Sequence, residues 1–296
     1  MPLKTVGLLS PGDMGHIVGN VLVTHGLRVI TCLQGRSERT RALAEKGKIE
    51  DVPTYQALVN EAEMILSIMV PAEAKGASQA VADVLAETDT DLTYVDCNAI
   101  APQTTCQLDE IITAAGGRFV DASIIGPPPR KPGATRFYAS GIHVGDFEAL
   151  TEFGLDIRPL GDQIGLASAI KMCYASLTKG LTALCTELLT AAELLGVSDA
   201  LKAEFQMSQS ALYQRMEGGL PGMAPKSRRW IGEMEEISAT FGHVGLTPKI
   251  LAGVADMYRL VGKTHLADLP PEDSDAFPDL AEMISILADA VKQGEQ

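Results

Sequence analysis

Through the first half of the chain, short apolar and β-branched runs alternate with stretches whose apolar residues recur at helical spacing. The runs Thr5–Leu9, Arg28–Leu33, Met64–Val70, Thr93–Cys97 and Arg118–Asp121 predict strands. The intervening segments Arg39–Lys46 and Ala74–Glu87 predict amphipathic helices. Strands that alternate with helices give βαβ units and a mostly parallel, doubly wound sheet. Gly26 stands where the first helix needs a left-handed C-cap. After a proline-rich loop, Phe137-Tyr138-Ala139 and His143-Val144 predict one or two further strands.

The pattern changes after the turn Gly161-Asp162-Gln163. From Leu166 to Leu195 there is no proline and apolar residues occupy most of the circumference, as in a helix buried on more than one side. Further helices are expected over Asp199–Met216, Arg228–Phe241, Pro248–Leu260 and Asp279–Lys292, without strand signals. The expected organisation is an α/β Rossmann domain at 1–163, followed by an all-helical domain at 164–296 joined through the long helix.

Composition narrows the function classes. A formal net charge of −14 argues against nucleic acid, which needs a clustered positive surface, and against an anionic membrane face. No apolar segment reaches the roughly 18 residues of a membrane span. The apolar stretch near the N-terminus is broken by Pro11-Gly12-Asp13, so it is not a signal segment. Five cysteines without a CxxC pair read as reduced thiols of a cytoplasmic protein. The five histidines are scattered, so no metal is expected.

The first strand runs into Ser10-Pro11-Gly12-Asp13-Met14-Gly15 and then a helix. In a dinucleotide fold such glycines allow a tight turn and let backbone N–H groups approach a pyrophosphate at the helix N-terminus. The first glycine of that pattern is Ser10 here. The second strand ends Leu33-Gln34-Gly35-Arg36-Ser37, with no acid where NAD-binding folds place one for the ribose hydroxyls. Arg36 and Ser37 would instead grip a 2′-phosphate, which points to NADP rather than NAD. Glu38 and Arg39 read as a solvated helix start.

Taken in order, these segments resemble the β-hydroxyacid dehydrogenase family, which includes 3-hydroxyisobutyrate and 6-phosphogluconate dehydrogenases. Val6 through Gly15 looks like its opening phosphate loop, and Ile68-Met69-Val70-Pro71 like the third-strand exit beside the nicotinamide ribose. Val95-Asp96-Cys97-Asn98 with Pro102 resembles the segment flanking the nicotinamide, and Phe119 through Gly126 the substrate loop. Gly165 through Lys171 matches the catalytic-lysine helix. The second half, from Ala224-Pro225-Lys226 through Ile237 and on to Gly245-Leu246-Thr247-Pro248, resembles a less studied branch of the family with no substrate to carry over. The resemblance implies an oxidoreductase acting on CH–OH groups, with Val70, Pro71 and Asn98 at the cofactor and a homodimer formed through the helical domain.

Three departures bear on the substrate. The family's substrate-loop serine corresponds to Ile125 and a following glycine to Pro127. The asparagines after the lysine correspond to Tyr174 and Ala175, and the later Lys-Asp pair to Gly232 and Glu233. The expected site therefore holds Lys171 as general acid/base, with Ser123, Ile125, Gly126, Tyr174 and Trp230 around a hydroxy acid or a bulkier, partly apolar alcohol. Lys171 also fits an amphipathic lysine whose head reaches solvent, and Tyr174 and Trp230 also fit core positions. Arg130 and Lys131 would meet a substrate anion or sit in a solvated loop. An imine reductase on the same scaffold, an oxidative decarboxylation and a non-catalytic NADP-binding protein are the alternatives; the lysine counts against the first.

Overall fold

The computed structural model describes residues 3–88, 90–271 and 273–294. It divides into two compact units, Met1–Met172 and Cys173–Gln296. The division falls inside the long helix rather than ahead of it at 163/164.

In the first unit β1 (Thr5–Leu9) leads into α1 (Gly15–Thr24), β2 (Arg28–Thr31), α2 (Glu38–Lys46) and β3 (Glu50–Asp51). Then come α3 (Tyr55–Glu61), β4 (Met64–Ser67), α4 (Pro71–Leu85), β5 (Thr93–Asp96) and α5 (Pro102–Ala114). β6 (Arg118–Ile125), β7 (Arg136–Ser140), α6 (Val144–Glu148) and β8 (Asp156–Pro159) complete the sheet. Its order is β3-β2-β1-β4-β5-β6-β7-β8. All neighbours are parallel except β6 and β7, so the carboxyl ends of β1, β4, β5 and β6 lie on one edge. The order reverses between β1 and β4, the switch point at which open α/β sheets bind ligands.

Strand residues alternate between two apolar layers. Val6 and Leu8 enter the core that holds Val18, Leu22 and Phe147, while Leu9 enters the core that holds Leu58, Val81 and Ile112. Both faces are covered, which is why these strands read as near-continuous apolar runs.

Several elements depart from the sequence pattern. β2 stops at Thr31, because the next turns are held by side chains: Leu33 N–H donates to Asp51 Oδ1 (2.9 Å) and Arg41 Nη2 to the Leu33 carbonyl (2.5 Å). β4 ends at Ser67, and Pro71 opens α4, where its missing N–H costs nothing. β6 runs four residues beyond its expected end because β7 pairs with it antiparallel, Ile124 opposite Phe137. His143-Val144 begins a short helix rather than a strand. The two-residue β3 and the edge strand β8 carry too little pattern to be read.

The second unit is helical. α7 (Leu166–Leu195) enters it from the first unit, followed by α8 (Ser198–Ser208), α9 (Ser210–Gly219), α10 (Ser227–His243), α11 (Lys249–Gly262) and α12 (Leu280–Gly294). The single helix expected over Asp199–Met216 is two, broken at Gln209 (φ −137°, ψ 37°), where the Ser208 hydroxyl bonds back to the Glu204 carbonyl. Met234 and Ile237 of α10 and Val254 and Val261 of α11 form part of its core. Among the described residues no helix is long and apolar enough to cross a membrane, and no group of His, Cys, Asp or Glu could hold a metal ion.

Candidate active site at the carboxyl edge of the sheet

The loop after β1 is shaped by two glycines. A Cβ on Gly15 would lie 2.2 Å from the Ser10 carbonyl oxygen, so only glycine lets α1 start this close to the strand. A Cβ on Gly12 would meet nothing of the protein within 4 Å. Gly12 N–H closes the turn onto Ser10 O (2.8 Å), and Gly12 O accepts from His16 N–H (3.0 Å). The buried His16 ring donates its Nδ1–H to the same oxygen (2.7 Å) and so holds the loop, a role that no local pattern in the sequence signals. Met14 and Gly15 N–H, at the start of α1, have no acceptor among the described residues. Open donors on a helix N-terminus, beside an unfilled Cβ position, fit a pyrophosphate.

At the end of β2 the chain turns through Gly35 (φ +72°). Arg36 is half-buried and pairs with no carboxylate among the described residues, whereas Ser37 is the N-cap of α2, its Oγ accepting from Thr40 N–H (3.2 Å). Its Oγ also shares a hydrogen bond with Thr40 Oγ1 (3.1 Å), and where Thr40 is the donor the Ser37 proton is left to meet a phosphate. Arg39 is not simply solvated: its Nη2 pairs with Asp13 Oδ1 (2.7 Å) and offsets a negative charge inside the phosphate loop.

Between β4 and β5 lies a buried polar clamp. Asn98 Oδ1 accepts from Met69 N–H (2.6 Å), and Asn98 Nδ2 donates to Ser67 Oγ (2.9 Å) and Asp96 Oδ2 (2.8 Å). Both amide hydrogens of Asn98 are thus consumed inside the protein, and what it fixes is the direction in which Ile68–Pro71 leaves the sheet. Burial pushes the Asp96 carboxyl up to about 7, against the hydrogen bonds from Asn98 and with the charge of Asp121. Val70 and Pro71 follow this clamp, Val70 exposed and Pro71 half-buried.

On the next strand Ser123 is fully buried, and its Oγ has no hydrogen-bond partner among the described residues. Ile125 is buried, and Gly126 is fixed by both conformation and space: φ is +124° and a Cβ would lie 2.3 Å from the Ala134 carbonyl oxygen. The Lys171 ammonium donates to the Ile124 carbonyl (2.6 Å), which brings it to the carboxyl end of β6 beside Ser123 and Ile125. Arg130 and Lys131 lie on the exposed loop beyond.

What carries Lys171 there is a residue whose role was not read from the sequence. Asp121 Oδ2 accepts from the N–H groups of Gly165 (2.9 Å), Ala167 (3.1 Å) and Ser168 (3.1 Å) and from Ser140 Oγ (3.0 Å). Its Oδ1 accepts from Ser168 Oγ (2.7 Å). A carboxylate on β6 therefore caps α7.

Tyr174 and Trp230 belong to the second unit. Tyr174 is 47% exposed. Trp230 packs edge-on against Tyr258 (5.3 Å between centroids), and the Lys179 ammonium lies 5.1 Å from the Trp230 ring centre. Lys179 also pairs with Glu233, the residue that stands after Gly232 in place of the family's Lys-Asp pair. Trp230, Lys179 and Thr182 are among the walls of a cavity of about 300 Å³ within this unit.

Residues 5–150 match the family described as the NAD binding domain of 6-phosphogluconate dehydrogenase, and residues 192–261 match a domain of unknown function, DUF1932. An uncharacterized 28.5 kDa protein of Methanothermus fervidus is 27% identical over 255 residues, covering 86% of this chain and 97% of that one. A conserved protein of unknown function, described as structurally similar to 3-hydroxyacid dehydrogenases, is 29% identical with a TM-score of 0.64, over 88% of this chain and 100% of that one. The 3-hydroxyisobutyrate dehydrogenase of Mycobacterium tuberculosis, solved with L-serine, shares the fold with a TM-score of 0.68 at 18% identity, over 96% and 99% of the two chains. With an NAD-binding unit, a DUF1932 region and 3-hydroxyacid dehydrogenase-like neighbours, the chain is similar to the β-hydroxyacid dehydrogenase family along most of its length.

Proposed function

We propose that this protein is an NADP-dependent oxidoreductase acting on a CH–OH or ketone carbon, with Lys171 as its general acid/base. The observation that carries the reading is the position of the Lys171 amine, held on the Ile124 carbonyl at the carboxyl end of β6. Strand β5 lies on one side of β6, and the strands carrying the phosphate loop and the Val70-Pro71 exit follow it in the sheet. When bound, the nicotinamide supplies or accepts a hydride. A hydride leaving the substrate carbon turns its hydroxyl into a carbonyl, and Lys171 as a neutral amine takes the hydroxyl proton. In the reverse direction its ammonium gives that proton to the oxygen on which negative charge builds.

Ser123 Oγ, buried and without a partner among the described residues, is suited to donate to a substrate oxygen or accept from its hydroxyl. Ile125 and Pro127 stand with apolar bulk where the family has a serine and a glycine, which favours a larger, partly apolar alcohol or hydroxy acid over a small hydroxy acid. Arg36 stands where a 2′-phosphate would need a cation, with Ser37 beside it. Five free cysteines suit a reducing compartment such as the cytoplasm.

On α7, Tyr174, Leu177, Leu181, Leu184, Leu188 and Leu195 recur at alternating three- and four-residue steps or their sum. Leu177 is 67% and Leu195 75% exposed. A stripe of this period fits a second copy, so a homodimer through the helical unit is part of the reading. Light scattering on Leu177→Glu/Leu184→Glu should give monomers from a dimeric parent.

The enzyme reading is tested by following NADPH oxidation, and NADP reduction, across a panel of aldehydes, ketones, imines, hydroxy acids and bulkier alcohols. Turnover on carbonyls or alcohols, lost by about 10²–10⁴-fold in Lys171→Ala while NADPH binding survives, is the expected result. Binding without turnover anywhere on the panel, turnover confined to imines, or full activity in Lys171→Ala overturns it. Preference for small 3-hydroxy acids overturns the substrate class alone. Tyr174→Phe and Trp230→Phe on the same panel test the substrate contacts expected of those residues.

A further inference from the structure

Strand β6 touches the helix of Lys171 at two places. At Asp121 it receives three backbone N–H groups and the Ser168 hydroxyl from the first turn of α7; at Ile124, three residues on, it receives the lysine amine itself. Two further hydroxyls brace the first point. Ser140 of β7 donates to Asp121 and accepts from Ala167 N–H (3.2 Å), and Thr105 of α5 bonds Ser168 (2.8 Å). Asp121, Ser140, Ser168 and Thr105 are each almost wholly buried, so the assembly is shielded from competing water.

A helix start normally finds its acceptor in the residue just before it. Here the acceptor comes from a strand more than forty residues earlier in the chain. A local cap would fix only the helix; a cap from β6 fixes the helix relative to the strand on which the lysine amine rests. We propose that Asp121 is the positioning residue for Lys171: by tying the first turn of α7 to β6, it sets where that amine stands at the carboxyl end of the strand. This rests on Lys171 being the acid/base group, and it adds the residue that makes its placement reproducible.

The carboxylate also contributes charge. Burial pushes Asp121 up from the usual carboxylate range, while its donors from Ser168, Ser140 and Gly165 pull it back down. The titratable groups that feel its charge on neighbouring elements are Asp96 and Cys97 on and just after β5 and Cys106 on α5. None of these is a cation; what favours the charged form of Lys171 is the Ile124 carbonyl, an acceptor that a displaced amine would lose.

The test needs neither substrate nor cofactor. The full chain is acetylated with a water-soluble active ester from about pH 6 to about pH 10, approaching the ordinary lysine value near 10.4. Mass spectrometry gives the rate at Lys171 relative to the exposed Lys249. In Asp121→Asn the Lys171 ratio should rise and its midpoint move to lower pH, half a unit being about a threefold change at fixed pH. Ser168→Ala, which removes the donor to Oδ1, should move the ratio in the same direction by less, and keeps the test open if Asp121→Asn does not fold. A folded variant that melts earlier yet keeps the parent's Lys171 ratio and midpoint makes Asp121 a helix cap only, and overturns the proposal. Because acetylation is read without turnover, a failed dehydrogenase reading and a failed positioning role give different results.

Discussion

Replacing Gly12 or Gly15 by alanine adds the same methyl group a few ångströms apart, with opposite expected consequences. At Gly15 the new Cβ would sit 2.2 Å from the Ser10 carbonyl oxygen, where about 3.4 Å is ordinary contact. A backbone oxygen cannot rotate away, so the start of α1 must separate from β1 by roughly an ångström; overpacking of this kind costs about 1–3 kcal/mol. At Gly12 the methyl meets no protein atom within 4 Å, and the backbone there lies outside the left-handed region. Stability should stay within about 0.5 kcal/mol of the parent, or rise slightly as the unfolded chain loses freedom. The open volume is where a pyrophosphate would approach Met14 and Gly15 N–H. Losing one hydrogen bond to a charged group is worth about 1.5–3 kcal/mol, or roughly ten- to a hundredfold in affinity. Urea unfolding and NADPH titration by calorimetry separate the two effects. Gly12→Ala should keep its unfolding midpoint and lose NADPH, and Gly15→Ala should lose both. A Gly12→Ala protein that binds NADPH as tightly as the parent would refute this placement of the phosphate loop.

Three further outcomes follow from other sites. Arg36→Ala should weaken NADPH by about ten- to a hundredfold and leave NADH unchanged, as fluorescence titration of both would register; an equal loss for both would remove Arg36 from the 2′-phosphate. Glu233→Gln removes the carboxylate facing the largely buried Lys179 and should cost about 3 kcal/mol in urea unfolding, with a shift in the emission of Trp230, the sole tryptophan. The Asp96 carboxyl, raised from 3.8 to about 7, binds its proton more tightly folded than unfolded. Its contribution is therefore full below about pH 4 and lost as pH rises through 7, up to ~4 kcal/mol. Asp96→Asn should flatten that part of the stability curve between pH 5 and 8, and parallel curves for the two proteins would show that Asp96 does not titrate there.

The sequence by itself determined the class of fold and singled out the residues of a candidate site. Apolar runs such as Thr5–Leu9 are local signals, as is the proline-free stretch Leu166–Leu195, and both became elements with those bounds. Ser10–Gly15 was legible because a strand–turn–helix junction needs its glycines whatever lies around it. Lys171 was singled out as a candidate through the resemblance of its helix, since one lysine on an apolar helix is otherwise ambiguous.

Tertiary structure decided what depends on partners distant along the chain. Asp121, Ser140 and Ser168 are ordinary polar residues in sequence and become one assembly only when β6, β7 and the start of α7 converge. Asn98 looked like a ligand-facing residue, yet its amide joins β4 to β5. Arg39 looked solvated and found Asp13 across the phosphate loop. Weak strands such as β3 and β8 form because neighbours supply their hydrogen-bond ladder, which no window of their own residues records. Periodicity reports which face of an element is buried; it carries no information about which buried polar groups will meet, because that is fixed by packing between elements.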